Sequence, residues 1–412
     1  MIAEDRISRV IFDFAAKIGA APDLDAVLEL NAGMARDLVG ADRCSIWLVD
    51  RKNNRLWTKV AHGVPEIHIP IGQGLVGACV ERNETILVND TSSDPRFLKT
   101  VDKASGYVTK SVLTLPLHGM DGKPMGALQV LNKPDGFTQD DVDLLGLCSS
   151  YSASTLESQR LRKDAEAAKL FLQELEIARD VQQHLLPQDV PAIPGLDFAG
   201  YCRSAKFVGG DYYDFLPMRD GGFLFTLGDV SGKGIAAAVL MASIQASLRS
   251  QVVRPPESLA DLMEDFNKAV YSFSTADKYS TLFCGMLNIA SGKLTYVNAG
   301  QVRPMLLRCG SGEIERLDCG GLPVGLLDAC DYEQGTVVMN PGDAVLCFSD
   351  GISEATNAKG EMWDESEVEK IVHSCGALSA KQMIERLVEM TDAFAGEAEQ
   401  NDDMTVVAIR YA

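Results

Sequence analysis

Apolar residues near the start of the chain recur at intervals of three and four: Ile7, Val10, Ile11, Phe14 and Ile18, then, past Pro22, Leu24, Val27, Leu28, Met34 and Leu38. That spacing predicts two amphipathic helices. Short β-type runs follow at 45–49, at 56–61 beyond the turn residues Asn53 and Asn54, at 86–88, at 111–117, and at 126–131 beyond Asp121-Gly122. A sheet flanked by helices, ending near Asn132, is an α+β domain.

From about 141 to 185 the chain has no proline and no glycine beyond Gly146, and it is rich in Leu, Ala, Glu, Gln, Arg and Lys. One long helix is predicted. Leu161, Ala165, Ala168, Leu172 and Leu175 alternate spacings of four and three, the seam of a coiled coil, before the phase shifts toward Ala178, Val181 and Leu185. A parallel homodimer would cover that stripe. Leu186-Pro187 stops the helix, and Pro191 and Pro194-Gly195 form a hinge. Beyond it, strands are predicted near 197–202, 223–228, 282–289, 294–298, 304–307, 337–339, 344–348 and 404–411, with helices near 235–251, 258–273, 365–374 and 380–394. Strands at both ends with helices between them suit a two-sheet sandwich with helices outside. The predicted organisation is therefore a domain over 1–150, a helical linker over 151–190 and a second domain over 191–412.

Composition narrows the function. The chain has 412 residues, 23% charged and 46% hydrophobic, the balance of packed domains. Lys plus Arg number 38 against 58 Asp plus Glu, a net charge of -20, which disfavours nucleic acid and anionic membranes as partners. No window reaches the roughly 18 apolar residues of a membrane span, and Glu4, Asp5, Arg6, Arg9 and Asp13 are wrong for a secretory signal. The chain reads as cytoplasmic. Its ten cysteines stand singly without a C-x-x-C pair, as small buried side chains in a reducing compartment do.

Four acids lie at the ends of strands, three of them beside glycines: Asp211 in V-G-G-D-Y-Y-D-F, Asp229 in G-D-V-S-G-K-G, Asp350 in F-S-D-G-I-S-E-A and Asp402 in N-D-D-M-T-V-V. One such dipeptide is commonly a turn, but four together suggest carboxylates held at one rim of the sheets. Clustered carboxylates raise one another's pKa unless a cation neutralises them. Oxygen ligands favour Mg²⁺ or Mn²⁺, and the five histidines (His62, His68, His118, His184 and His373) form no zinc-like cluster. Two such ions bridged by a water would hydrolyse a phosphate ester. Gly232-Lys233-Gly234 before the next helix adds an anion-binding helix start. No Walker loop, cysteine-phosphatase spacing, G-x-S-x-G or H-E-x-x-H occurs, and Tyr212 spoils a cyclase reading of Gly209-Gly210-Asp211.

In this order these motifs, together with E-L-E-I-A-R-D-V-Q-Q-H-L-L-P (174–187), T-L-F-C-G-M-L (281–287), N-A-G-Q-V-R-P (298–304) and G-G-L-P-V-G-L (320–326), resemble the metal-dependent protein phosphatase (PPM) family, in its bacterial SpoIIE-like, sigma-regulator branch. The resemblance implies an α/β/β/α sandwich that dephosphorylates phosphoserine or phosphothreonine with two Mn²⁺ or Mg²⁺ ions. Carried over by position, Asp229 would bridge both metals, the Val230 carbonyl would add a ligand, and Asp211, Asp350 and Asp402 would complete the shells, with Asp403 the alternative to Asp402. Gln301 stands where the family usually has His. Residues 1–150 resemble a GAF domain through G-Q-G-L-V-G (72–77), N-D-T-S-S-D-P-R-F (89–97), S-V-L-T-L-P-L (111–117), G-A-L-Q-V-L-N-K (126–133) and F-T-Q-D-D (137–141). Asn132, Lys133, Phe137 and Asp141 match part of a signature of cyclic-nucleotide-binding members, where it is more often structural.

The combined reading is a sensor phosphatase: a small-molecule or protein signal at a GAF dimer acts through the helix, with 174–187 as the switch, on hydrolysis of a phosphorylated anti-sigma-factor antagonist. Its rival is a catalytically silent adaptor binding partners through the GAF domain and coiled coil. A phosphatase of small-molecule phosphates is a third reading.

Overall fold

The computed structural model describes residues 17, 23–61, 66–188, 192–218, 221–253, 256–275 and 277–412. The helix predicted over Ile7 to Ile18 lies almost wholly outside them, as does His62. Two compact units are present, Met1–Leu170 and Phe171–Ala412.

In the first unit, α1 (Leu24–Val39) starts where the Asp23 carboxylate accepts from the Ala26 N–H at 2.9 Å and ends at Gly40, whose φ of 69° no β-branched residue would adopt at low cost. Six strands follow: β1 (Arg43–Asp50), β2 (Arg55–Ala61), β3 (His68–Pro70), β4 (Ile86–Val88), β5 (Val112–His118) and β6 (Pro124–Leu131). They form one antiparallel sheet in the order β3-β2-β1-β6-β5-β4. Consecutive side chains on β1 face opposite ways, as a pleated strand requires. Ile46 packs with Leu28 and Ala32 of α1, whereas Trp47 packs with Leu75 and Cys79 of α2 (Gly74–Arg82). The expected strands are thus in place. Helix α2 escaped prediction because Leu75 to Val80 are all buried, which leaves no polar stripe to reveal a helical period. Helix α3 (Lys99–Ser105) and the three-residue β3 were too short to leave a pattern.

Helix α4 (Gln139–Leu185) is the predicted long helix, 47 residues without interruption. Leu145, Cys148 and Leu156 near its start join the core of the first unit. Further along, Leu161, Leu170, Phe171, Leu172, Ile177 and Val181 are exposed.

The second unit holds two sheets face to face. One contains β8 (Tyr212–Pro217), β9 (Gly222–Val230), β10 (Ser280–Asn288), β11 (Lys293–Ala299), β14 (Gly320–Gly321) and β15 (Gly335–Val338). The other contains β7 (Leu196–Arg203), β12 (Met305–Leu307), β13 (Ile314–Arg316), β16 (Ala344–Phe348) and β17 (Met404–Tyr411). Between them Phe198, Phe215, Phe223, Phe225, Phe283 and Tyr296 form a run of ring contacts at 4.6–6.3 Å. Helices α5 (Ile235–Gln251) and α6 (Leu259–Phe273) pack on the first sheet through Met241, Ile244 and Phe266, while α8 (Glu365–Ser374) and α9 (Ala380–Ala395) cover the second through Val368, Ile384 and Leu387. A single turn, α7 (Asp350–Ser353), follows β16. This is the expected α/β/β/α sandwich. Strand β8 was not predicted, since its start lies within a glycine-bounded acidic motif that reads as a loop. All ten cysteines are free.

Phe283 is fully buried between Phe225 and Tyr296. Phe283→Ala should lower the unfolding free energy of this unit by about 3–5 kcal/mol, measured by urea denaturation, with the transition of the first unit unmoved.

Candidate functional site

Antiparallel pairing decides where the acids go. Strand β8 begins beside the end of β9, with Tyr212 opposite Gly228, so Asp211 and Asp229 share one edge of the first sheet. Strand β17 begins beside the end of β16, with Phe348 opposite Val406, which puts Asp350, Asp402 and Asp403 together on the second. Asp403 joins the two edges. Its carboxylate accepts from the main-chain N–H groups of Ala205 at 2.8 Å, Gly210 at 2.7 Å and Asp211 at 3.4 Å. Glycine is required at this approach: a Cβ on Gly209 would lie 2.1 Å from Asp403 Oδ2, and one on Gly210 2.7 Å from the Val230 carbonyl oxygen.

Asp402 and Asp403, equal as candidates in the sequence, are placed differently. Asp403 is buried and occupied by the main chain, whereas Asp402 is partly open to solvent and its Oδ2 lies 2.9 Å from Lys233 Nζ. Lys233 also donates to the Asn401 carbonyl at 2.6 Å. Asp211 is 2% exposed, and neither carboxylate oxygen has a hydrogen-bond partner. Burial, and then the Asp229 charge, push its carboxyl well above the usual range. Burial, followed by Asp350 and Asp402, raises Asp229 to about 7, and burial followed by Asp402 raises Asp350. Among the described residues no three of these side chains yet stand close enough to grip one cation. An orphaned, buried carboxylate beside further acids fits a hard divalent ion, which replaces the missing donors.

Two features of this centre were not legible beforehand. Gln182, near the end of α4, donates through Nε2 to the Gly209 carbonyl at 2.7 Å and accepts the Gly209 N–H at 3.1 Å through Oε1. One helix side chain therefore holds both main-chain polar groups of Gly209, two residues from Asp211. Gln245 of α5 also donates to the Leu185 carbonyl. The second feature surrounds Gln301, which is buried. Its Oε1 accepts from Thr281 Oγ1 at 2.7 Å, its N–H donates to Asn298 Oδ1 at 2.8 Å, and its Nε2 has no partner. Thr281 lies opposite Asp229 on β10, so Gln301 braces the strand behind the acids.

Comparison with known proteins gives this geometry a family. The model described as Stage II sporulation protein E (SpoIIE) matches residues 219–412, and the GAF domain model matches 23–156. The chain joins a GAF domain to a SpoIIE-family phosphatase domain. Asp229, Asp350 and Asp402 fall within the matched residues, and Asp211 lies just before them. Phosphoserine phosphatase RsbU of Bacillus subtilis is 28% identical over 270 residues, covering 65% of this chain and 78% of that protein. Protein IcfG of Synechocystis sp. is 25% identical over 307 residues, covering 68% of this chain but 48% of its own length. The SiaA-PP2C domain of Pseudomonas aeruginosa shares the fold, with a TM-score of 0.55 at 19% identity over 60% of this chain and all of that one.

In the GAF domain the cyclic-nucleotide signature residues serve the fold. Asn132, in the left-handed region at φ 55°, accepts from the Lys110 and Ser111 N–H groups and donates to the Val108 carbonyl. Lys133 Nζ grips both oxygens of Asp141 at 2.7 and 2.6 Å, and Asn89 brackets the Phe137 peptide. A cavity of about 90 Å³ lies between the sheet and α2–α3, with Trp47, Leu75, Phe97 and Tyr107 in its wall and Arg43 3.8 Å above the Tyr107 ring. His68 and His118 pair with Glu66 and Asn83.

Two outcomes follow for the phosphatase domain. Asp403→Ala would strand the buried N–H of Gly210 and the part-buried one of Ala205 and should cost about 1–3 kcal/mol for each buried group left unpaired, whereas Asp402→Ala should leave the denaturation midpoint nearly unchanged. The raised carboxyl of Asp229 keeps its proton in the native state where the unfolded chain has already released it. Stability of the chelator-treated protein should therefore fall as pH rises from about 4 to about 7. Melting temperatures across that range should decline, and Asp229→Asn should flatten the decline.

Proposed function

We propose that the SpoIIE-family domain removes phosphate from phosphoserine or phosphothreonine of a protein, with a phosphorylated anti-sigma-factor antagonist as substrate. It is a serine/threonine protein phosphatase. The supporting observation is the Asp211–Asp229 pair: two carboxyls at neighbouring strand ends, both raised by burial and by neighbouring acids, with neither oxygen of buried Asp211 in a hydrogen bond of normal geometry. Two divalent cations, Mn²⁺ or Mg²⁺, would be held by Asp211, Asp229, the Val230 carbonyl, Asp350 and Asp402, supplying when bound a water of lowered pKa and a clamp on the phosphoryl oxygens.

The remaining residues arrange that centre. Asp403 fixes the 205–211 segment against β17, and Ser280 Oγ donates to the Asp229 carbonyl at 2.9 Å, holding the end of β9. Lys233 tethers Asp402 at the mouth. Gln182 aligns the Gly209 peptide, and through it Asp211, from a side chain carried on the linker helix. Regulation by the GAF domain then has a physical route: a change in α4 that moves Gln182 releases the segment leading to Asp211. The predicted seam of Leu161, Ala165, Ala168, Leu172 and Leu175 would close against a second copy, making the homodimer through which a small-molecule or protein signal at the GAF domain acts.

Hydrolysis of p-nitrophenyl phosphate and of a phosphoserine peptide, with and without Mn²⁺, tests this reading. Turnover should require Mn²⁺ and fall by at least about 10³-fold in Asp229→Asn and in Asp350→Asn. Metal-independent turnover, or turnover that survives both changes, would refute it. Gln182→Ala should lower Mn²⁺ affinity, read by calorimetry, as well as kcat. Leu172→Asp should halve the mass seen by light scattering.

A further inference from the structure

The phosphatase domain has a second concavity against the acid centre, and resting on the phosphatase reading above, it bears on which phosphoproteins are accepted. The cavity, about 400 Å³, opens beside Asp402. Its walls are the turn after α7, the last turn of α9 and the loop at 398–402. The lining is apolar at Ala355, Met362, Ala395 and Met404, an unusual surface to find next to a catalytic rim of carboxylates.

Charge decides what fits. Two cations border the cavity and both are already engaged. Arg203 binds the two oxygens of Asp392 at 3.0 and 2.5 Å and Gln400 Oε1 at 2.8 Å, and Lys233 is held by Asp402 and the Asn401 carbonyl. Two carboxylates, Glu354 and Glu399, are exposed and have no ion pair among the described residues. Glu354 is near enough to Asp350 to raise its pKa, so the unbalanced negative charge begins at the centre itself and extends into the cavity. The chain as a whole carries a net charge of -20, which adds to the same bias. An acidic side chain would meet repulsion there. A purely apolar one would leave both carboxylates unmatched. A long aliphatic stem ending in a cation satisfies both the wall and the charges.

We infer that this cavity is a specificity pocket for a lysine or arginine of the substrate protein, with Glu354 and Glu399 as the residues that select it. An extended chain advances about 3.3 Å per residue, and the pocket opens on a metal-ligand candidate. The selected side chain therefore flanks the phosphoserine in the substrate chain.

The test uses the whole chain with Mn²⁺ and a phosphoserine peptide series in which one flanking position at a time is Arg, Ala, Leu or Glu. At the favoured position kcat/KM should rank Arg above Ala and Leu, and these above Glu, with about a tenfold span between Arg and Glu carried by KM. Glu354→Gln and Glu399→Gln, both at exposed positions where folding is not at stake, should each shrink the Arg-to-Ala ratio by about threefold. Rising salt should shrink it in the wild-type chain. Equal rates for all peptides, a preference for Leu or Glu, or an Arg preference unchanged in both variants would overturn the pocket assignment. Hydrolysis of p-nitrophenyl phosphate by the same protein reports the metal centre separately. Were that to fail, the phosphatase reading would fall, and the ranking of the labelled peptides by fluorescence anisotropy would still decide the pocket.

Discussion

The Asp403 carboxylate is the point at which the two sheets of the phosphatase domain become one site. It stands at the head of β17, in the five-stranded sheet, yet its oxygens are taken up by main-chain N–H groups of the segment that enters β8, in the six-stranded one. Without those bonds the segment that carries Asp211 loses its direct tie to the head of β17. Charge-assisted acceptance by a buried carboxylate is among the stronger hydrogen bonds available to a protein. Positions 209 and 210 need glycine because the Asp403 carboxylate and the Val230 carbonyl come too close for a Cβ.

That anchoring lets the domain hold an arrangement that electrostatics opposes. Burying Asp211 next to Asp229 costs solvation and adds repulsion, and both effects raise the two carboxyls. A protein core offers little to relieve this. The relief present is Lys233 at the mouth, which reaches Asp402 and not the buried pair. The cost is therefore concentrated at Asp211 and Asp229, and a divalent cation is a group whose chemistry would offset it.

Much of this was legible in the sequence, for reasons particular to each element. Strands such as 344–348 and 404–411 announce themselves through unbroken apolar runs, because both of their faces are buried between a sheet and a helix layer. Helices α5, α8 and α9 were placed within a residue by their periodicity and caps. The four acidic motifs were visible because aspartate at strand ends, beside glycine in three of them, combines turns with candidate ligands. What stayed hidden depends on partners far apart in the chain. Asp402 and Asp403 are neighbours with the same chemistry, and what separates them is the set of N–H groups from 205–211 that one of them meets. Gln182 looks like a surface residue of a polar helix until the Gly209 peptide is found against it. Helix α2 hid for the opposite reason, since burial on every side erases the pattern by which helices are recognised.

The linker helix raises a last physical point. Most of α4 between its two ends is exposed, and an isolated helix in water is held together by little more than propensity and pairs such as Arg162–Glu166 at 2.9 Å. Yet its last turns are fastened to the catalytic segment by two hydrogen bonds at Gln182 and by Gln245 at the Leu185 carbonyl. Those bonds survive only while the helix is formed and in the right rotation, since a residue on a helix turns through about 100° for each step along the chain. A modest rotation would carry Gln182 off the Gly209 peptide without breaking the helix. A turn of α4 would therefore reach the segment that leads to Asp211 through one glutamine and the N–H and C=O of Gly209.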